Sequence, residues 1–321
     1  MTYIKDRPEN RPYAPVIAVP AISSTSSPTI LAGTYSWRGH AAAVWALTKP
    51  RLAAMSVLST LTAYATAGRD SGSAGWTLVG TALAAAGALS LNQWWERRTD
   101  ALMERTRGRP LPQANISPGA ALRWSLGFSL GGCLALNFFV NPTAAMLALA
   151  TILIYGVIYT PLKRRSRWAT EIGSISGALP ALLGNAAAGD LFAPAGLTIT
   201  GVLLFWQMPH FFAIGWLHRA DYRAAGFPLL PAIDSDGRRT ARWSLGYTLA
   251  LVSFSLLPCA LGWFGAAYMV TAVIAGVGFL VRTILFLTGR DRDRTTRQLF
   301  LGSLLYLPAI MAALMVERFF Q

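Results

Sequence analysis

The chain has 321 residues, of which 54% are hydrophobic and only 13% charged, too apolar for an ordinary soluble domain of this size. Its 28 Lys and Arg against 14 Asp and Glu give a net charge of +14. That excess could suggest nucleic acid, but its placement along the chain, described below, excludes such a partner.

Residues 1–36 are rich in Pro, Ser and Thr and lack a helical apolar period, so a mobile tail is expected there. The segment has no apolar h-region and is not read as a secretory signal peptide; Asp6 and Glu9 argue against an organellar transit peptide. Trp37 to Leu47 predicts an interfacial helix with Trp anchors.

Nine apolar spans follow, at roughly 50–68, 75–95, 119–139, 143–161, 171–189, 194–216, 243–263, 265–288 and 298–317. Each approaches the ~20 residues that cross a bilayer, and each is apolar all round, unlike the helices of a soluble core. Pro180, Pro209, Pro258 and Pro308 fall inside spans and predict kinks. The expected fold is all-α: a polytopic membrane protein of about nine transmembrane helices around a cytoplasm-facing cavity, with residues 37–321 as one domain. With the N-terminus inside, only Arg69 and Arg318 of the 28 basic residues fall outside. This is the positive-inside pattern, with N-in and C-out; anionic lipid head groups are incidental partners. Cys133 and Cys259 lie within spans, without metal spacing, and read as packing residues.

The chain is organised around Leu91 to Pro112, LNQWWERRTDALMERTRGRPLP. Asn92, Glu96 and Asp100 are spaced four apart and share one helical face. One amide oxygen and two carboxylates suit a hard cation such as Mg²⁺, which shares itself between carboxylates and substrate phosphates. Arg105, Arg107 and Arg109 follow at once, and guanidinium forks take phosphate oxygens that the metal leaves. A bland collar of interfacial charge gives a similar composition, but acids at a membrane boundary tend to face a cavity or a partner.

The run Asn92-x-x-x-Glu96-x-x-x-Asp100, continued by Ala101-Leu102-Met103-x-Arg105-Thr106-x-x-Arg109-Pro110-Leu111-Pro112, resembles the first signature of the intramembrane UbiA-type prenyltransferases. It is closer to their protohaem IX farnesyltransferase (haem O synthase) branch than to the quinone branch. Glu96 stands where the family usually has Asp; the extra methylene changes the metal geometry available there. The resemblance extends to Tyr159-x-x-x-Lys163-Arg164, which in the family lines the diphosphate pocket. It also covers Pro209-His210-Phe211 and Asp221-Tyr222, the haem-branch form of the second signature. Position 217 is Leu and position 225 is Ala, so Asp221 alone can serve as the acid there. Thr48-Lys49-Pro50-Arg51 opens the first span: Lys49 reads as an interfacial snorkel and Arg51 as the deeper pocket candidate.

The resemblance implies transfer of farnesyl from farnesyl diphosphate to a vinyl group of haem B, giving haem O and diphosphate. It implies Mg²⁺ on Asn92, Glu96, Asp100 and Asp221, and diphosphate contacts from Arg51, Arg105, Arg109, Lys163 and Arg164. It implies a haem-facing place for His210, although an isolated intramembrane His is more often hydrogen-bonded packing. It further implies haem B as a substrate, a haem A synthase as a downstream partner, and a location in the bacterial inner membrane. Segments 91–112 and 217–242 are expected to cap one inward-facing cavity. Two other readings remain open from the residues: a quinone-type aromatic prenyltransferase, and a polytopic transporter, whose acids would lie near the bilayer midplane.

Overall fold

The structure is a computed structural model that describes residues 37–67 and 72–320. The expected tail at 1–36 and Arg69 lie outside the described residues. Trp37–Leu47 is helical (α1), with Trp37 and Trp45 exposed as expected of interfacial anchors. Its buried Ala43 and Leu47 pack on Leu111, Ile116 and Ala121. The last carbonyls of α1, which a helix end leaves unpaired, accept hydrogen bonds from Gln93 Nε2 at 3.1 Å (Ala46) and 2.9 Å (Leu47).

The next helices are α2 (Pro50–Thr66), α3 (Ala74–Asp100) and α4 (Pro118–Phe139). A continuous helix Pro142–Leu162 then comprises α5 (Pro142–Ile152), a π-helical stretch (Leu153–Tyr159) and α6 (Thr160–Leu162). After it come α7 (Ala169–Ala188), α8 (Pro194–Leu217), the short α9 (Arg219–Ala224) and α10 (Leu230–Ile233), then α11 (Arg238–Ala260), α12 (Ala266–Thr288) and α13 (Arg292–Phe320). Local sequence sets these limits. Proline occupies the first turn of α2, α4, α5 and α8, where its missing N–H costs nothing. Ser117 and Asn141 cap α4 and α5 by accepting from Ala120 N and Ala144 N. Gly189, at φ 90°, ends α7.

Every expected span coincides with a helix. Six of these helices are long and apolar enough to cross a membrane: α3, Pro142–Leu162, α8, α11, α12 and α13. Large apolar side chains such as Met146, Ile274 and Leu305 are exposed along them, as lipid-facing surfaces require. The four internal prolines lie inside continuous helices. Cys133 and Cys259 are half-buried, free and packed against apolar clusters. α3 packs on α4, α2 on α7, and α8 on α7, α11 and α13, while α13 also returns to α2.

Without a hydrophobic difference between lipid and protein, helices associate through close backbone approach at small residues. The α3–α4 contact uses this. A Cβ on Gly132 would lie 2.5 Å from the Ala84 nitrogen and 2.8 Å from the Gly80 carbonyl oxygen, both backbone atoms. Neither can move aside alone, so Gly132→Val should cost at least the ~1–3 kcal/mol of an overpacked core. The expected result is a lowered thermal midpoint of the purified protein in detergent; an unchanged midpoint would show that the two helices can separate freely.

Candidate active site

The last two turns of α3 place Asn92, Glu96 and Asp100 on one buried face, at 1%, 6% and 0% exposure. Trp95 on another face of the same turns is exposed. Buried charge requires partners, and three segments deliver them. Arg109 donates from one guanidinium nitrogen to both Asp100 oxygens, at 2.8 and 2.7 Å, and lies 3.8 Å from Glu96. Lys163 donates to Glu96 Oε1 at 2.7 Å. Lys49 donates to Asn92 Oδ1 at 2.6 Å, while Asn92 Nδ2 donates to Thr160 Oγ1 at 3.1 Å.

Each partner is aimed by its own local backbone. The turn segment after α3 is tied back by Thr106 Oγ1 donating to the Asp100 carbonyl at 2.9 Å, which returns Arg109 to the helix it has just left. In the π-helical stretch the Thr160 hydroxyl donates to the Tyr155 carbonyl five residues earlier, at 2.7 Å. The extra residue per turn accompanies the turn of Thr160 and Lys163 toward α3, where they meet Asn92 and Glu96. Lys49 precedes α2 with φ 47°, in the left-handed region, a conformation costing a non-glycine residue ~1–2 kcal/mol. Such strain is held where the surroundings require the side chain in one place.

This corrects the expectation for the start of α2. Lys49 is no snorkel but part of the cluster, while Arg51 is exposed and outside it. The helix begins at Pro50, so the left-handed turn at Lys49 directs that side chain inward and leaves Arg51 one residue into the helix on another face. Arg164 is likewise exposed, with Lys163 alone reaching the acids.

The two lysines differ electrostatically. Burial lowers Lys49 to about 7, helped by the nearby Arg109 and Lys163 cations and opposed by Glu96 and Asp100. At Lys163 burial also disfavours the cation, but the Glu96 carboxylate, with Tyr159 and Tyr222, holds its pKa well above the ordinary value. The distinction is the partner: Lys163 faces a carboxylate and Lys49 a neutral amide.

The two expected caps do meet. Met103, from the segment after α3, is buried with Ala169, Phe227, Leu229 and Ala232. Asp221 Oδ2 accepts from the Arg105 backbone N–H at 3.4 Å, and the exposed Arg105 reaches the Tyr222 hydroxyl at 3.5 Å. Asp221 does not pair with its neighbours: Arg219 is taken by Asp293 and Arg223 by the Ala232 and Asp234 carbonyls. Beneath the caps, Tyr159, Lys163, Thr170, Phe211, Phe212 and Tyr222 line a cavity. His210 stands beside Phe211 on α8, with Nδ1 2.7 Å from Ser303 Oγ.

Among the described residues no group of three or more His, Cys, Asp or Glu forms a metal cage. Asn92, Glu96 and Asp100 nonetheless fit a magnesium ion. Their donors are all oxygen, share one face, and are already engaged by three side-chain cations. A set with two carboxylates leaves coordination places for phosphate, as Mg²⁺ prefers.

Residues 53–305 match the UbiA prenyltransferase family model. The chain belongs to the UbiA prenyltransferase family. It is 43% identical over 279 residues to a protoheme IX farnesyltransferase of Opitutus terrae, covering 85% of this chain and 94% of that protein. A protoheme IX farnesyltransferase of Solibacter usitatus is 39% identical over 242 residues, 75% of this chain and 82% of that one. Among solved structures, a digeranylgeranylglyceryl phosphate synthase matches with TM-score 0.74 at 16% identity, covering 88% of this chain and 99% of that one. A UbiA homologue from Archaeoglobus fulgidus, bound to DMAPP and Mg²⁺, matches at 0.57 and 14%, covering 84% and 98%. These two likenesses establish the fold, an all-helical membrane architecture.

The Lys163–Glu96 pair offers a direct test of the cluster. Removing one partner of a buried ion pair strands the other, typically at ~3–5 kcal/mol, whereas removing both is far less costly. Lys163→Met and Glu96→Gln should each lower the thermal midpoint, and the double substitution should recover most of the loss. Simple additivity of the two losses would deny the contact its energetic coupling.

Proposed function

We propose that this chain is a protoheme IX farnesyltransferase, converting farnesyl diphosphate and haem B to haem O and diphosphate. The observation that carries the reading is 43% identity extending over 94% of a relative bearing that name. The chemistry of the site agrees: oxygen donors and cations for a diphosphate sit at the mouth of an apolar bundle. The charges gather at the end of α3 and its facing loops, which does not favour a transporter with midplane acids.

In the reaction the C1–O bond of farnesyl diphosphate breaks and both electrons leave with the diphosphate. A vinyl π pair of the porphyrin forms the new bond to C1. Water adds to the resulting cation and loses a proton, giving the hydroxyethylfarnesyl group. Lys49, Arg109 and Lys163 exchange carboxylate and amide oxygens for those of the diphosphate and hold its developing charge. Arg105 adds charge from the rim. Tyr159, Phe211, Phe212 and Tyr222 keep water from the allylic cation. Asn92, Glu96, Asp100 and Asp221 would hold a magnesium ion, which would supply Lewis-acid neutralisation of the leaving group.

Purified protein incubated with haem B, farnesyl diphosphate and Mg²⁺ should yield haem O, identified by mass, with stoichiometric diphosphate. Prenylation of a hydroxybenzoate but not of haem would assign the chain to the quinone branch. Asp100→Asn and Asp221→Asn should each lower turnover by orders of magnitude, with the double substitution little worse than either, as for groups acting as a unit. Near-normal turnover for Asp221→Asn would remove it from the metal set.

The orientation is proposed with the same reading: inner membrane, N-terminus and both caps cytoplasmic, C-terminus periplasmic. Single cysteines placed in 97–110 or 219–240 should resist an impermeant thiol reagent in intact cells and react after permeabilisation. Strong labelling from outside would invert the assignment.

A further inference from the structure

The cavity beneath the caps is mostly apolar, but four polar side chains line it: Tyr159, Lys163, Thr170 and Tyr222. Three of them are engaged by charged neighbours. Lys163 donates to Glu96 at 2.7 Å, Tyr222 accepts from Arg105 at 3.5 Å, and the Lys163 ammonium stands 5.3 Å from the centre of the Tyr159 ring. Thr170 differs: its hydroxyl has no hydrogen-bond partner among the described residues.

Its place in the chain explains the difference. Threonines inside these helices commonly donate to the carbonyl four residues earlier, as Thr62, Thr151 and Thr283 do to Leu58, Leu147 and Phe279. Thr170 is the second residue of α7. Four residues before it stands Ser166, ahead of the helix, whose carbonyl accepts from the Ala169 N–H at 3.4 Å. No helical carbonyl underlies the Thr170 hydroxyl, so the half-buried side chain keeps it for the cavity. The backbone that carries it is well fixed. Ala169 is buried against Met103 of one cap and Phe227 of the other. One turn on, Gly173 admits the Tyr159 ring so closely that a Cβ there would lie 2.8 Å from it.

A hydroxyl without a protein partner in a confined space takes water, and the reaction proposed above consumes one. The timing of that water is demanding. A free water would capture the allylic cation at C1 and release farnesol; the water that is used must attack only the later cation, beside the porphyrin. A water tied to a fixed hydroxyl attacks only where its lone pair points. We propose that Thr170 holds the water that adds to the porphyrin-side cation. The water donates one hydrogen bond to Thr170 Oγ. A water lone pair forms the new C–O bond. The other O–H bond breaks, its electrons stay on oxygen, and the proton passes to an oxygen of the released diphosphate, the anion that Lys163 on the same cavity wall would hold. The inference rests on the porphyrin reading given above and adds to it the residue that decides between an alcohol and an alkene.

The test compares full-length variants in detergent, with haem B, farnesyl diphosphate and Mg²⁺, and separates the products by chromatography and mass. Thr170→Val keeps the shape and removes the hydroxyl. It should still join farnesyl to haem B, but with the product ratio moved about tenfold, the scale of one lost hydrogen bond, toward an alkene lighter than haem O by one water. That alkene arises when the cation, lacking a placed water, loses a proton from the adjacent methylene. Thr170→Ser keeps the hydroxyl and should restore the wild-type ratio, which a purely structural defect would not predict; Thr170→Ala carries the same expectation as the valine variant should that one not fold. Haem O at the wild-type ratio from both hydroxyl-free variants would overturn the role of Thr170 and leave the proposed reaction standing. Folded variants that form neither product would overturn it too, because the hydroxyl would then act before the new C–C bond. A wild-type protein that farnesylates no haem would overturn the reaction and this inference together.

Discussion

The burial of two carboxylates at the end of α3 is the constraint around which this structure is arranged. Desolvating each ion costs several kcal/mol even after relaxation, so Glu96 and Asp100 are tolerable only with cations in contact. Those cations are Arg109, just after α3, and Lys163, just after α6, while Lys49, just before α2, holds the Asn92 amide on the same face. Three local backbone features serve the cluster. The left-handed Lys49, the π-helical stretch before Lys163 and the Thr106 tie before Arg109 each turn a basic side chain toward the same face.

The cations and acids of the cluster satisfy one another, so neither set is left unpaired in a low-dielectric environment. In the proposed reaction, exchange of these partners for a metal and a diphosphate would bury no charge alone, because those two are themselves complementary. Lys49 is the loosest member, since its resting partner is an amide whose attraction does not offset the cost of burial.

Much of this was legible in the residues. The apolar runs placed the helices to within a few positions, because a chain that must satisfy every backbone group in lipid has few alternatives to a helix. The i,i+4 spacing of Asn92, Glu96 and Asp100 fixed their common face, and Trp37 to Leu47 was read correctly as a helix. Lys49 was not read correctly, because nothing in Thr-Lys-Pro-Arg announces a positive φ; Pro50 starting the helix was the available signal, and it concerns the backbone rather than the direction of a side chain. Ser303 carried no signal, being one hydroxyl in a long apolar helix, 93 residues from the histidine it meets.

What the sequence determined by itself was periodic and local: spans, caps, the acid face and the crowding of basic residues on one side. These follow from helix geometry and from the cost of polar groups in hydrocarbon, which act on neighbouring residues. The tertiary structure decided which cations reach which acids, that Asp221 faces the Arg105 backbone, and that His210 is clamped between Trp206 and Phe300. Those outcomes depend on glycine-lined helix contacts, on a π-helical turn and on one strained residue. Each shifts a side chain by a fraction of a turn, and no spacing along the chain encodes a rotation set by a neighbouring helix.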